Sequence, residues 1–334
     1  MHTLVIGDLH FEDKPQGMMQ AQSDAITKIC RLNKDKCSKV VFLGDLMMHR
    51  SPRPTVLLAL QNMFKAITAL GYECYVLRGN HDSVTKADDG VTALTLFSNE
   101  NVHVITKYWE DHDNEWVFIP HYEDESKIKE FLSNAPSGYT IFGHFGYYGV
   151  LNSAGDADFN LSISDFKNPT ILGHIHKEGR NGSVSVLGTP YTTGFGEAGK
   201  DCYYGILNQG NLEKVSCEYG PRHIVIDYDN VEENLPWLNG GDYNLVRINV
   251  GTLDEGMGSI AETVDKIKAP FVEVKYKPLL DDKEVFTPDD RTVSSVMSDE
   301  LIEHYINSSN TKISKEDLLE GLKMIHENQQ NRNL

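Results

Sequence analysis

Through residues 1–190, short apolar runs alternate with stretches whose apolar positions recur every three or four residues. The runs predict strands near 3–7, 39–43, 73–77, 101–105, 116–120, 139–143, 170–173 and 183–187, with two more at 202–208 and 212–218. The other spacing predicts a helix near 17–33, where Met18, Ala21, Ala25, Ile26 and Ile29 share one stripe. A second starts at Pro54, whose ring suits a first helical turn, and carries Val56, Leu57, Leu60, Phe64 and Ile67; Gly71 sits where it should end. A third is expected near 124–133. The early part reads as βαβ units and the late part as hairpins, so the expected fold is an α/β sandwich of two mixed sheets.

Beyond residue 222 the pattern changes. HIVIDYD, YNLVRINVG and PFVEVKYKP read as strands around a helical stretch at 259–267, a small α+β unit. Residues 280–297 are charged and proline-interrupted, as a linker would be. Two amphipathic helices should follow within 298–334. Ser298 caps the one with Leu301, Ile302, Tyr305 and Ile306, and Ser314 the one with Leu318, Leu322 and Ile325. That hairpin is either a lid packed on the core or a docking segment. The expected organisation is therefore 1–222, 223–279, 280–297 and 298–334.

Five apolar runs end the same way. TLVIGDLH closes on Gly7, Asp8 and His10, and VVFLGDLM on Gly44 and Asp45. CYVLRGNHD closes on Gly79, Asn80, His81 and Asp82; YTIFGHFG on Gly143 and His144; PTILGHIH on Gly173, His174 and His176. One His-x-His at a strand end is an ordinary meeting of a polar residue with solvent. Five glycine-plus-ligand endings imply a shared site, because open sheets bind ligands outside the carboxyl ends of their strands.

The donor set is Asp, Asn and His without thiolate, which suits hard or borderline divalent ions: Mn²⁺, Mg²⁺, Fe²⁺ or Zn²⁺. Asp8, His10, Asp45, Asn80, His144, His174 and His176 are too many for one ion and fit two that share a carboxylate. Two-metal sites hold ions ~3.5–4 Å apart and clamp an in-line displacement at phosphorus. His-x-His would serve both ions if the glycine turn splays the rings. His81 is expected to face substrate and give a proton or hydrogen bond to the leaving oxygen, with Asp82 orienting its ring. His49 and Arg50 either touch phosphate or lie in a solvated loop. His121 reads as a surface histidine. Tyr191 and Phe195 either pack a loop or line a cleft.

Composition narrows this picture. A chain of 334 residues with 40% hydrophobic and 24% charged residues can bury a substantial core. No apolar run approaches the ~20 residues of a membrane span, and Asp8 interrupts the first one, so neither a membrane anchor nor a signal peptide is expected. Cys30, Cys37, Cys74, Cys202 and Cys217 are scattered and odd in number, which points to free thiols in a reducing, cytoplasmic setting. The net charge of −18 disfavours a stand-alone DNA-binding protein but permits a nuclease subunit that grips phosphate through metal ions or a partner.

The set GDLH, GDL, RGNHD, GHFG and GHIH resembles the signature of the calcineurin-like metallophosphoesterases. Here GDLMMHR and RGNHD stand where phosphoprotein phosphatases carry GDxVDRG and RGNHE. The stretches, with LGTPYTTGFGEAG, are instead similar to the SbcD-type nuclease subunits of DNA repair and their bacteriophage recombination relatives. The resemblance is strong over about 1–200, architectural over 223–278 and weak over 298–328. It implies a four-layer β-sandwich flanked by helices, with a small capping domain that helps grip DNA. By motif position, Asp8, His10, Asp45 and His176 would hold one ion, Asp45, Asn80, His144 and His174 the other, and His81 would be the catalytic histidine. It further implies Mn²⁺-dependent exo- and endonuclease activity on DNA, an SbcC-type coiled-coil ATPase partner, a homodimer, and a cytoplasmic setting, the host's for a phage-encoded member. A small-molecule or nucleotide phosphodiesterase is the competing expectation; the extra C-terminal residues disfavour it. A non-catalytic scaffold should have lost ligands that are all present here.

Overall fold

The computed structural model describes residues 2–152, 155–251 and 257–276. The expected linker and helical hairpin lie outside them. In chain order the first elements are β1 (His2–Ile6), α1 (Met18–Asn33), β2 (Cys37–Phe42), α2 (Pro54–Ala69), β3 (Glu73–Leu77) and β4 (Val102–Ile105). Next come β5 (Trp109–Asp111), β6 (Trp116–Ile119), α3 (Glu125–Asn134), β7 (Thr140–His144), β8 (Thr170–Gly173), β9 (Gly179–Asn181) and β10 (Val184–Val186). The remainder are β11 (Tyr203–Asn208), β12 (Asn211–Ser216), β13 (Pro221–Asp227), α4 (Val231–Leu238), β14 (Tyr243–Val250), α5 (Met257–Asp265) and β15 (Phe271–Tyr276).

These strands form two six-stranded mixed sheets, ordered β12-β11-β1-β2-β3-β4 and β5-β6-β7-β8-β10-β9, and a three-stranded sheet, β13-β14-β15. In the first, β1 to β4 run parallel and β11 and β12 pair antiparallel beside β1. In the second, β6, β7, β8 and β10 run parallel between antiparallel edges.

Alternation along each strand builds the layers. Leu4, Ile6, Val40 and Phe42 face Ile26, Ile29, Leu60 and Ile67 of α1 and α2. Their neighbours Val5 and Val41, with Tyr75 and Leu77, face Phe118, Phe142 and Ile171 of the second sheet. The outer face of that sheet, Val117, Ile119 and Ile141, meets Ile128 and Leu132 of α3. The architecture is helices, sheet, sheet, helix, and the central strands β1, β6, β7 and β8 are nearly continuous apolar runs because both their faces are covered. The third sheet is all parallel and has its own core of Ile224, Ile226, Val246, Ile248 and Val250 against Val231, Leu238 and Ile260. Among the described residues no helix is long and apolar enough to cross a membrane.

Candidate metal centre

All five glycine endings lie at the carboxyl ends of β1, β2, β3, β7 and β8, and their loops meet along one rim. Backbone bonds tie the loops together. The N–H groups of Leu9 and His10 both donate to the Asp45 carbonyl, at 3.0 and 2.9 Å. The His81 N–H donates to Asp45 Oδ1 at 2.8 Å, and the His174 N–H to Asp8 Oδ1 at 3.0 Å. Gln22 of α1 donates to the carbonyls of Leu9 and His10 at 3.3 and 3.0 Å. The turns are sharp: His10, Asp45 and His174 adopt φ of 46°, 50° and 74°. Such left-handed backbone is strained for residues with a Cβ and persists only where the surroundings impose it. Gly44, at φ 107°, is the one residue type that fits its place, since a Cβ there would run into the His144 ring.

The side chains converge. Asp45 Oδ2 lies 3.3 Å from His144 Nε2 and 3.8 Å from His10 Nε2. Asn80 Oδ1 lies 3.0 Å from His144 Nε2 and 3.1 Å from His174 Nδ1. His10 Nε2 and His176 Nε2 face each other at 3.0 Å. Three sets, Asp8–His10–His176, His10–Asp45–His81 and Asp45–His144–His174, each bring their ligand atoms within 4.8 Å of one another.

Proton positions show what the rim wants. His144 Nδ1 lies 2.7 Å from the Leu43 carbonyl, which can only accept, so Nδ1 carries the proton and Nε2 a lone pair. That lone pair points at a carboxylate oxygen. An acceptor facing an acceptor in a site where Asp8 and His144 are 0% exposed calls for a cation between them. Without one, a proton stands in. Burial opposes charge on His144, yet Asp45 and Asp8 outweigh it and push its pKa up to about 9. Burial likewise opposes ionisation of Asp45, but His144 holds its carboxyl well below the usual range. Burial pushes His10 down to about 4, against the pull of Asp45, and its Nδ1 has no partner among the described residues. The donor set therefore fits divalent cations.

Asp82 is arranged differently from expectation. The His81 ring is held at Nδ1 by the Met48 carbonyl, 2.6 Å away. Asp82 is fully buried and turned to the backbone, accepting from the N–H groups of Leu46, Met47 and Gly79 at 3.3, 3.1 and 3.0 Å. It clamps the β2 and β3 loops instead of orienting the ring, because three converging N–H groups satisfy a buried carboxylate better than one imidazole does.

His121 is also corrected. It is 7% exposed, not a surface residue, and its ring lies 6.2 Å from that of His144 and 5.9 Å from that of His174. Buried Arg78 draws it in: Arg78 accepts the His121 N–H at its own carbonyl and donates its guanidinium to the His121 carbonyl. Arg50 is committed elsewhere, donating to the carbonyls of Ser83 and Thr85 beside Glu123. His49 lines a separate cavity of about 200 Å³ with Glu12, Asp13 and Arg53. Tyr191 packs: it is fully buried with its hydroxyl on the Leu9 carbonyl at 2.7 Å. Phe195 sits edge-on to His223 of β13 and under the Arg247 guanidinium of β14. The sequence reading passed over Asp158, 3.1 Å from His174 Nε2, and Glu197, 2.5 Å from His176 Nδ1.

The calcineurin-like phosphoesterase family matches residues 1–197, which contain every strand ending that builds the rim. Comparison with curated proteins finds no match. Among solved structures the chain is similar to an archaeal phosphodiesterase at 14% identity, covering 65% of this chain and 99% of that one, with a TM-score of 0.34. It is similar to a Pseudomonas putida nuclease at 16% identity over 64% and 87% of the two chains, TM-score 0.32. A Danio rerio dimetal phosphatase shares 11% identity over 66% and 99%, TM-score 0.38.

Proposed function

This chain belongs to the calcineurin-like phosphoesterase family of metal-dependent hydrolases, and from that premise we propose that it hydrolyses phosphodiester bonds in DNA with two divalent cations, Mn²⁺ foremost. The observation that carries the reading is the position of Asp45, whose Oδ2 faces His10 on one side and His144 on the other. On this reading Asp8, His10, Asp45 and His176 hold one ion, and Asp45, Asn80, His144 and His174 the other. When bound, such ions offset phosphate charge and lower the pKa of water. The protein's own part is to orient and to move a proton. His81, its Nδ1 fixed on Met48 and its ring 4.9 Å from that of His10, stands beside the His10–Asp45 edge, where its free nitrogen can serve the leaving oxygen of a diester. Asp82 holds that loop in place through Gly79 and the β2 loop through Leu46 and Met47.

The choice of DNA draws on the RGNHD and LGTPYTTGFGE stretches, which favour an SbcD-type nuclease subunit over a phosphoprotein phosphatase. On this reading residues 1–222 hydrolyse, 223–279 contact DNA, 280–297 link, and 298–334 dock on an SbcC-type coiled-coil ATPase. The nuclease acts as a homodimer in DNA repair or recombination. The ATPase supplies positive charge that a chain of net charge −18 lacks. The test is Mn²⁺-dependent cleavage of end-labelled duplex DNA beside a chromogenic phosphodiester. DNA cleavage that stops with chelator is expected. Hydrolysis of the small diester alone, even with the ATPase and ATP present, sinks the DNA assignment and leaves a small-molecule phosphodiesterase.

A further inference from the structure

The two histidines of GHIH are gripped from outside the rim by different carboxylates. His176 Nδ1 lies 2.5 Å from Glu197 Oε1, and His174 Nε2 lies 3.1 Å from Asp158 Oδ2. An ionised carboxylate only accepts, so the protons sit on His176 Nδ1 and His174 Nε2. The lone pairs are then on the opposite nitrogens. Those are the atoms turned inward: His176 Nε2 lies 3.0 Å from His10 Nε2, and His174 Nδ1 lies 3.1 Å from Asn80 Oδ1. The left-handed turn at His174, φ 74°, splays the two rings toward different donor sets.

Neither carboxylate is free to wander. Glu197 Oε2 accepts from the Thr193 N–H at 2.8 Å and the Thr193 hydroxyl at 3.2 Å, and Lys200 Nζ stands 3.6 Å from Oε1. Its side chain is 10% exposed. Asp158 Oδ2 accepts from the Asn152 side-chain amide at 2.6 Å and is 34% exposed.

We infer that Glu197 and Asp158 are positioning residues that assign one ring nitrogen of the His-x-His pair to each cation position, Glu197 through His176 and Asp158 through His174. The inference rests on the reading of the rim as a two-cation centre. A carboxylate behind a ligating imidazole fixes its tautomer and raises its basicity, and its loss weakens metal affinity roughly 10–100-fold. The effects should fall on separate ions. Glu197, being buried, should sit at the upper end of that range, and Asp158, screened by water, at the lower.

The experiment is Mn²⁺ titration of the full chain by calorimetry, with DNA left out. Wild type should bind two ions. Glu197→Gln should weaken one of them, Asp158→Asn the other, and the double variant both. In a His176→Ala background, Glu197→Gln should add nothing, because the ring through which it acts is gone. A merely structural role would instead lower the melting temperature of the metal-free chain and add to His176→Ala. Either additivity, or variants that bind both ions as wild type does, overturns the inference alone. A wild-type chain that binds no Mn²⁺ overturns the two-cation reading along with it.

Discussion

The rim and the third sheet are built from the same chain by opposite rules. In the third sheet every strand is parallel, the core is largely aliphatic, and Arg247 of β14 pairs with Glu273 directly across on β15. From residue 221 to 276 no described residue other than glycine has a positive φ. At the rim, three ligand-type residues adopt left-handed backbone, three aspartates are buried, and lone pairs face carboxylates. Local rules are broken where a ligand is meant to complete the structure, and kept where packing alone suffices. The third sheet should therefore respond to mutation as a core does, and the rim as a binding site.

The largest expected effect lies at the rim and leaves stability alone. His81→Ala should lower phosphodiester turnover ~100–10,000-fold, the range for a lost general acid or base. Its ring is half-buried and makes one hydrogen bond, to Met48, so folding and Mn²⁺ binding should persist. Retained turnover would remove His81 from the chemistry. Next comes the third sheet. Ile248, 0% exposed in its core, should cost about 2–5 kcal/mol as alanine. Chemical denaturation would read that loss while Mn²⁺ affinity stays put. A tenfold drop in affinity would break the contrast and mean that Phe195, wedged against His223 and Arg247, transmits strain to the rim.

A smaller effect compares two glycines. Gly44→Ala places a Cβ against the His144 ring at φ 107° and should destabilise by about 1–3 kcal/mol while weakening metal binding. Gly251→Ala, at the end of β14, meets nothing within 4 Å among the described residues and should move neither. Equal responses would mean that Gly44 relaxes without disturbing His144.

These contrasts track what could be read from the residues. Each rim motif is local: an apolar run, a glycine and a ligand type within a few positions, so the strand endings were legible one by one. The two mixed sheets followed from βαβ units giving way to hairpins, and the four layers from the family resemblance. What escaped is non-local or carries no side-chain mark. The grip on His81 is a backbone carbonyl, which every residue has. Asp158 lies among other acidic residues, and Glu197 stands 21 positions from the histidine it holds. His121 looks like any loop histidine until Arg78 draws it inward. Helix α4 carries Pro236, which argues against a helix, and β5 and β9 are three-residue edge strands too short for a pattern.

The smallest effect separates the two regions by pH. In the metal-free chain His144 is pushed up to about 9, with Asp45 overcoming burial, from an ordinary value near 6.5. A folded-state value above the unfolded one means that protonation stabilises the fold. That contribution is complete below about pH 6.5 and is lost as pH rises through about 9. A bound cation replaces this proton, so the alkaline loss should shrink when Mn²⁺ is present. The acid side is shared. Burial lowers His10 at the rim and His223 in the third sheet to about 4 each, so both stabilise as neutral rings above about pH 6.5. Both lose that contribution as pH falls through about 4. Melting temperatures measured from acid to alkaline pH, with Mn²⁺ and with chelator, should therefore diverge on the alkaline limb, where His144 gives up its proton. Curves that run parallel there would mean that no cation competes with the proton between His144 and Asp45, and the rim would then be a buried polar cluster obeying the same rules as the third sheet.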